Sequence, residues 1–246
     1  MNRIFAGEMI VTDLSHTVAP GMPYFPGTEA PVFSRPFTVA SHGFAEQKIT
    51  LLTHCGTHMD APAHIFAAGP TLEQLGLPHF VGSAVALDLT HAPGPVIGPD
   101  DLLPFRSLLA EKEFVLLRTG WSKHWGNADY FRAYPVLSEA AALWLAGFHL
   151  KGIGVDAISF DPFDSTALPV HRAFLSRNIV LIENLANLES VPAAEFVFCC
   201  LPLKLADGDG APARAVALCR ERKKKSAQLS PLRRSARRAG NAARRQ

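Results

Sequence analysis

Apolar residues in this chain come in short runs rather than at helical intervals. Residues 80–90 carry Val81, Ala84, Val85, Ala86 and Leu87, a run suited to a strand buried on both faces. Residues 114–121 (Phe-Val-Leu-Leu-Arg-Thr-Gly-Trp) read as a second buried strand ending in a turn, and residues 9–16 as a first strand. Further strands are predicted at 152–156, 179–183, 196–201 and 213–218. Helical signals are fewer. Ser138 is a good N-cap for an Ala-, Leu- and Trp-rich helix reaching about residue 148, and a short helix opens at His171. Thr71 starts another short helix, and Asp100-Asp101 suits a helix N-terminus. Residues 20–27, Pro-Gly-Met-Pro-Tyr-Phe-Pro-Gly, are too proline-rich for a helix and predict an extended loop. Many strands with a few interspersed helices, and no internal repeat, predict a mixed α/β or α+β fold.

Composition changes the picture in three ways. The 246 residues are 48% hydrophobic, ample for one large packed domain. No run of eighteen apolar residues appears and residues 1–8 lack the apolar core of a secretory signal, so a cytoplasmic protein with no membrane span is expected. Four cysteines without Cys-x-x-Cys spacing fit reduced thiols better than a disulfide framework. The net charge of +2 hides a division at residue 218. Residues 219–246 hold eleven Lys/Arg against one Glu, leaving thirteen Lys/Arg and twenty-one Asp/Glu in residues 1–218. The expected organisation is therefore an acidic domain, 1–218, followed by a basic tail, 219–246, whose composition reads as disordered.

The chemistry is concentrated in His54-Cys55-Gly56-Thr57-His58-Met59-Asp60-Ala61-Pro62-Ala63-His64. Imidazole nitrogen and carboxylate oxygen are standard ligands for zinc, manganese and related ions. On a straight strand His54 and His58 would stand about 13 Å apart, too far for one ion. Gly56 is where the chain can bend to bring them together. The lead-in, residues 49–53, is β-prone and is expected to deliver the motif as a strand. Glu183 is unusual, since a carboxylate ending so apolar a run needs a cation or hydrogen bonds if buried.

The motif resembles the H-x-G-T-H-x-D-x-P-x-H signature of the cyclase family of metal-dependent hydrolases, which includes bacterial kynurenine formamidases and isatin hydrolases. Ser15-His16 with the proline-rich loop, Arg118-Thr119-Gly120-Trp121, and His171 followed by Glu183-Asn184-Leu185-Ala186-Asn187-Leu188 extend the resemblance from about residue 10 to about residue 218. It implies a single-domain swivelling β/β/α fold that assembles as a homodimer or higher homo-oligomer. It implies that His54, His58 and Asp60 hold one divalent ion, Zn or Mn, and that Asp60 bridges to a second held by His171 and Glu183, with one or two ions in use. His64 matches the family's catalytic histidine, a proton shuttle, and Phe25 and Trp121 are implied in the substrate pocket.

The expected activity is hydrolysis of a C–N amide bond in a small aryl formamide, such as N-formylkynurenine, or a cyclic amide, such as isatin. Two competing readings remain. One is a metal-binding protein without catalysis, and the other places function in nucleic-acid binding by the basic tail. Asp156, Asp161 and Asp164 are read as loop-solvating or histidine-orienting, with a second metal as the alternative, and His16 as a structural hydrogen-bonding residue.

Overall fold

The computed structural model describes residues 9–92, 94–192 and 195–220; the basic segment 221–246 lies outside the described residues. Twelve strands are present among them. In chain order they are β1 (Met9–Asp13), β2 (Val32–Phe37), β3 (Glu46–Thr50), β4 (His58–Asp60), β5 (Val81–Asp88) and β6 (Val96–Ile97). There follow β7 (Phe114–Arg118), β8 (Val136–Leu137), β9 (Gly152–Val155), β10 (Val180–Glu183), β11 (Phe196–Pro202) and β12 (Gly210–Arg220).

Eight of these form one sheet in the order β1-β12-β11-β5-β7-β9-β10-β4. Strands β5, β7, β9 and β10 are parallel neighbours, and the pairings of β1, β4, β11 and β12 are antiparallel. The start of β12 also pairs with β4, so the sheet closes on itself like a barrel, with β1 left as an edge strand beside the far end of β12. Helices and connections pack on the outside of the parallel strands. One apolar cluster, with Leu87, Val115, Ile153, Leu145 and Phe174, lies between sheet and helices. The other, with Met59, Phe114, Leu116, Ile182 and Phe198, fills the inside of the closed sheet.

The strands expected from the apolar runs are present, and β12 continues past residue 218 to Arg220, where it pairs with Met9 of β1. Ser138 caps the helix Glu139–Leu145 as expected, its hydroxyl accepting from the Ala141 N–H. The lead-in to the motif differs. β3 does not run into it; it pairs only with β2, making a separate two-stranded ribbon whose residues are almost all exposed. The chain leaves β3 at Leu51, and the motif forms its own three-residue strand β4 in the closed sheet. No helix among the described residues is long and apolar enough to cross a membrane.

Candidate metal centre

Gly56 adopts φ +69°, a left-handed conformation open to glycine, and turns the chain between His54 and His58. On β4, His58 and Asp60 are two residues apart and share a face, while Met59 points into the core. Register with β10 sets Glu183 opposite His58. His171 enters from the helix Pro169–Leu175. The structure thus brings together all five residues named as ligands in the sequence, four of them buried, from two distant segments.

Each imidazole points one nitrogen at the carboxylates and has the other fixed. Asp60 Oδ1 lies 2.7 Å from His54 Nδ1 and 3.2 Å from His58 Nε2, and Asp60 Oδ2 lies 3.7 Å from His171 Nε2. Glu183 offers Oε2 3.5 Å from His58 Nε2 and Oε1 3.4 Å from His171 Nε2. On the outer side, His58 Nδ1–H donates to the Gly56 carbonyl at 2.8 Å, so a neutral ring must keep its lone pair on Nε2. His171 Nδ1–H donates to Asp161 at 2.6 Å and His54 Nε2–H to Asp209 at 3.0 Å. Locking the far nitrogen fixes the tautomer and orientation that metal-binding histidines require.

The electrostatics fit a cation. Burial alone would push the His171 ring towards neutrality, but Asp161, Glu183 and Asp60 outweigh it and raise its pKa to about 10. For His54, burial is likewise overcome by Asp60 and Asp209, giving about 9. Asp60 is buried, which opposes ionisation, yet the flanking His54 and His58 hold it well below the carboxylate range. A divalent ion could supply the same positive charge in place of these ring protons. The donors His58, Asp60 and Glu183 lie within 4.8 Å of one another, as do His54, Asp60 and His64. Distance alone therefore leaves His64 either as a ligand or as a free base beside the centre. Its ring lies against His54, centroids 3.9 Å apart and planes tilted by 35°, and burial lowers its pKa despite nearby Asp60.

The centre forms the floor of a cavity of about 420 Å³. Tyr24, Phe25, Leu52, Ile158 and Phe163 give it apolar walls. The Phe25 and Phe163 rings are stacked, with centroids 5.1 Å apart and planes within 18°. Trp121, expected in the pocket, is not among the lining residues. Gly120, at φ +76°, turns the chain after β7, and the indole N–H donates instead to the Tyr130 carbonyl. Asp156 holds that turn by accepting from the Thr119 and Gly120 N–H groups, while Asp161 takes the histidine-orienting role.

Support around the motif is dense. Thr57 donates to the Asn184 carbonyl and accepts from the His16 N–H; Asn184 Nδ2 donates to Gly56 O, and its Oδ1 accepts from the buried Tyr130 hydroxyl. The His16 ring stacks on Trp125 at 3.9 Å. Pro62 opens the short 3-10 turn Pro62–His64, which sets His64 beside the centre. Sequence reasoning passed over Asp209 and Gly210. Their one signal is a carboxylate between two glycines, Gly208-Asp209-Gly210, at the head of β12. A Cβ on Gly210 would stand 2.7 Å from His54 Nε2, so the ring fits only against a glycine.

The chain is similar to known proteins over most of its length. The chain is 34% identical over 216 residues to the kynurenine formamidase of Salinibacter ruber, covering 85% of this chain and 97% of that one. It is 31% identical over 209 residues to the kynurenine formamidase of Erythrobacter litoralis, covering 84% and 92%. Isatin hydrolase A from Ralstonia solanacearum superposes with a TM-score of 0.77 at 26% identity, covering 85% of this chain and 92% of that structure. With the cyclase family model matching residues 12–162, more than half its length, the chain belongs to the cyclase family.

Proposed function

We propose that this chain is a metal-dependent amidohydrolase acting on the C–N bond of a small aryl formamide or a cyclic aryl amide. The observation that carries the reading is the convergence of His54, His58, Asp60, His171 and Glu183 beneath an aromatic-walled cavity. We assign His54, His58 and Asp60 to one ion, and Asp60 with His171 and Glu183 to a second. The two oxygens of Asp60 face different histidines, which supports a bridging role. Imidazole and carboxylate donors suit Zn or Mn. When bound, such an ion supplies Lewis acidity and lowers the pKa of a coordinated water from 15.7 to about 7.

The residues of the chain do the rest. Phe25 and Phe163 present flat apolar surface to an aromatic ring and exclude water from its faces. His64 takes the proton released by the attacking water and returns it to the departing nitrogen. The exposed β2–β3 ribbon, with Val32, Phe37 and Ile49 open to solvent, supports assembly with a second copy. All four cysteines are free thiols, which suits the cytoplasm.

The test is metal analysis of the purified protein followed by a hydrolysis screen over formanilides, N-formylkynurenine, isatin and simple lactams. Turnover of one aryl amide, abolished by chelation and restored by Zn or Mn, is expected. Full activity in the chelated protein overturns the proposal.

A further inference from the structure

Asp209 belongs to none of the ligand positions, yet it touches both histidines that flank the centre on its open side. Its Oδ2 accepts from His54 Nε2 at 3.0 Å and stands 3.9 Å from His64 Nδ1. Its Oδ1 is tethered by the Thr53 hydroxyl at 3.0 Å. The turn carrying it is pinned on both sides. Glu73 accepts from the Asp207 and Gly208 N–H groups, Leu72 N–H donates to Gly208 O, and Ala61 N–H donates to Asp209 O at 2.8 Å. The last bond ties the turn to the residue following Asp60. Gly210 then packs its bare Cα against the His54 ring. So many restraints on a half-exposed carboxylate are more than a surface turn needs.

Resting on the reading of His54 as a ligand and His64 as the proton carrier, we propose that Asp209 is a positioning residue that holds these two adjacent imidazoles as a pair. By accepting from His54 Nε2–H it leaves Nδ1 as the nitrogen facing Asp60 and the ion. By lying at the Nδ1 edge of His64 it favours the tautomer with the proton on Nδ1, leaving Nε2 to exchange protons with the substrate. His58 and His171 have their far nitrogens fixed by Gly56 O and Asp161; Asp209 completes the set for His54 and extends it to the base.

The experiment compares wild type, Asp209→Ala, Asp209→Asn and Thr53→Val as full-length protein, measuring Zn affinity by competition with a chromophoric chelator. Asp209→Ala is expected to weaken Zn binding about 10- to 100-fold. Asp209→Asn, whose amide oxygen still accepts, should recover most of that loss, and Thr53→Val should fall between it and wild type. Imidazole nitrogen NMR should show His64 losing its Nδ1–H preference in Asp209→Ala. With Zn saturating, kcat should drop at least tenfold while KM changes less than threefold. Unaltered Zn affinity in Asp209→Ala, even with a lower melting temperature, overturns the role at His54. An unchanged His64 tautomer and kcat overturn the role at His64. If wild type hydrolyses nothing in the screen while the affinity series holds, the hydrolase reading fails and the role of Asp209 at His54 stands.

Discussion

Replacing Asp161 tests whether the candidate centre depends on residues outside its set of five donors. Its carboxylate is fully buried and accepts three hydrogen bonds: His171 Nδ1 at 2.6 Å, and the His171 and Val170 backbone N–H groups at 3.0 Å each. It therefore caps the helix Pro169–Leu175 and orients the histidine that helix carries. Burial opposes its ionisation, but the bonds from His171 and Val170 outweigh this and keep its pKa below the usual value. Asp161→Asn keeps the volume and removes one acceptor, leaving one buried donor unsatisfied at a cost of about 1–3 kcal/mol. At ~2–4 °C per kcal/mol for a domain of this size, the melting temperature should fall by roughly 4–8 °C for a mid-range loss. Zn affinity should fall about 10- to 100-fold because His171 is no longer held in one tautomer. The control is Asp88→Asn, an exposed carboxylate paired with Arg118 at 3.1 Å, where less than about 1 kcal/mol is at stake. Scanning calorimetry of both variants and chelator competition decide the matter. If Asp161→Asn melts within 2 °C of wild type, or loses no more than Asp88→Asn, burial and hydrogen bonding do not support the centre as argued.

Other perturbations separate the parts of the site. His64→Ala should retain its metal by elemental analysis while kcat falls roughly 10²- to 10⁴-fold; loss of metal would make His64 a ligand instead. Gly210→Ala should displace the His54 ring and weaken Zn affinity at least tenfold by chelator competition, since a Cβ there would meet Nε2 at 2.7 Å. His16 has its pKa lowered by burial to about 4, so the fold favours the neutral ring and this contribution, intact above about pH 6.5, is lost as pH falls towards 4. Discounted for partial exposure, that is about 1–2 kcal/mol; His16→Phe, which keeps an aromatic ring on Trp125, should flatten the stability profile between pH 7 and 4.5 by that amount, and parallel denaturation curves would refute it.

What the sequence made legible was local. The apolar runs at β5, β7, β9, β10 and β11 are strands because their residues suit burial on a sheet, a property each run carries by itself. The convergence of His54, His58 and Asp60 was legible for a similar reason, since His, Gly, His and Asp at close spacing have few other uses. The placement of Trp121 was not, because it depends on a left-handed Gly120 and on Asp156, thirty-six residues further on in the chain. Nor was the ribbon of β2 and β3. Its residues alternate well enough for a strand, and nothing in them says that the partner is each other rather than the main sheet. Asp209 was hidden because its neighbours in space, Thr53, His54 and His64, are about 150 residues away in sequence.

The shortest strand of the closed sheet shows why site and closure cannot be separated. β4 has three residues, and pairs with β10 on one side and β12 on the other. Two of the three, His58 and Asp60, are buried polar groups, and only Met59 contributes to the core. Three residues with one apolar side chain are a weak reason for a sheet to close. Buried carboxylates without positive charge would oppose closure further. The opposing cost is offset where His58 and His171 of the adjoining helix meet Asp60 and Glu183 of β10, and a divalent ion bound by these donors would offset it further. Filling the centre and closing the sheet therefore draw on the same contacts, and Asp209 and Gly210 at the head of β12 sit where the two meet.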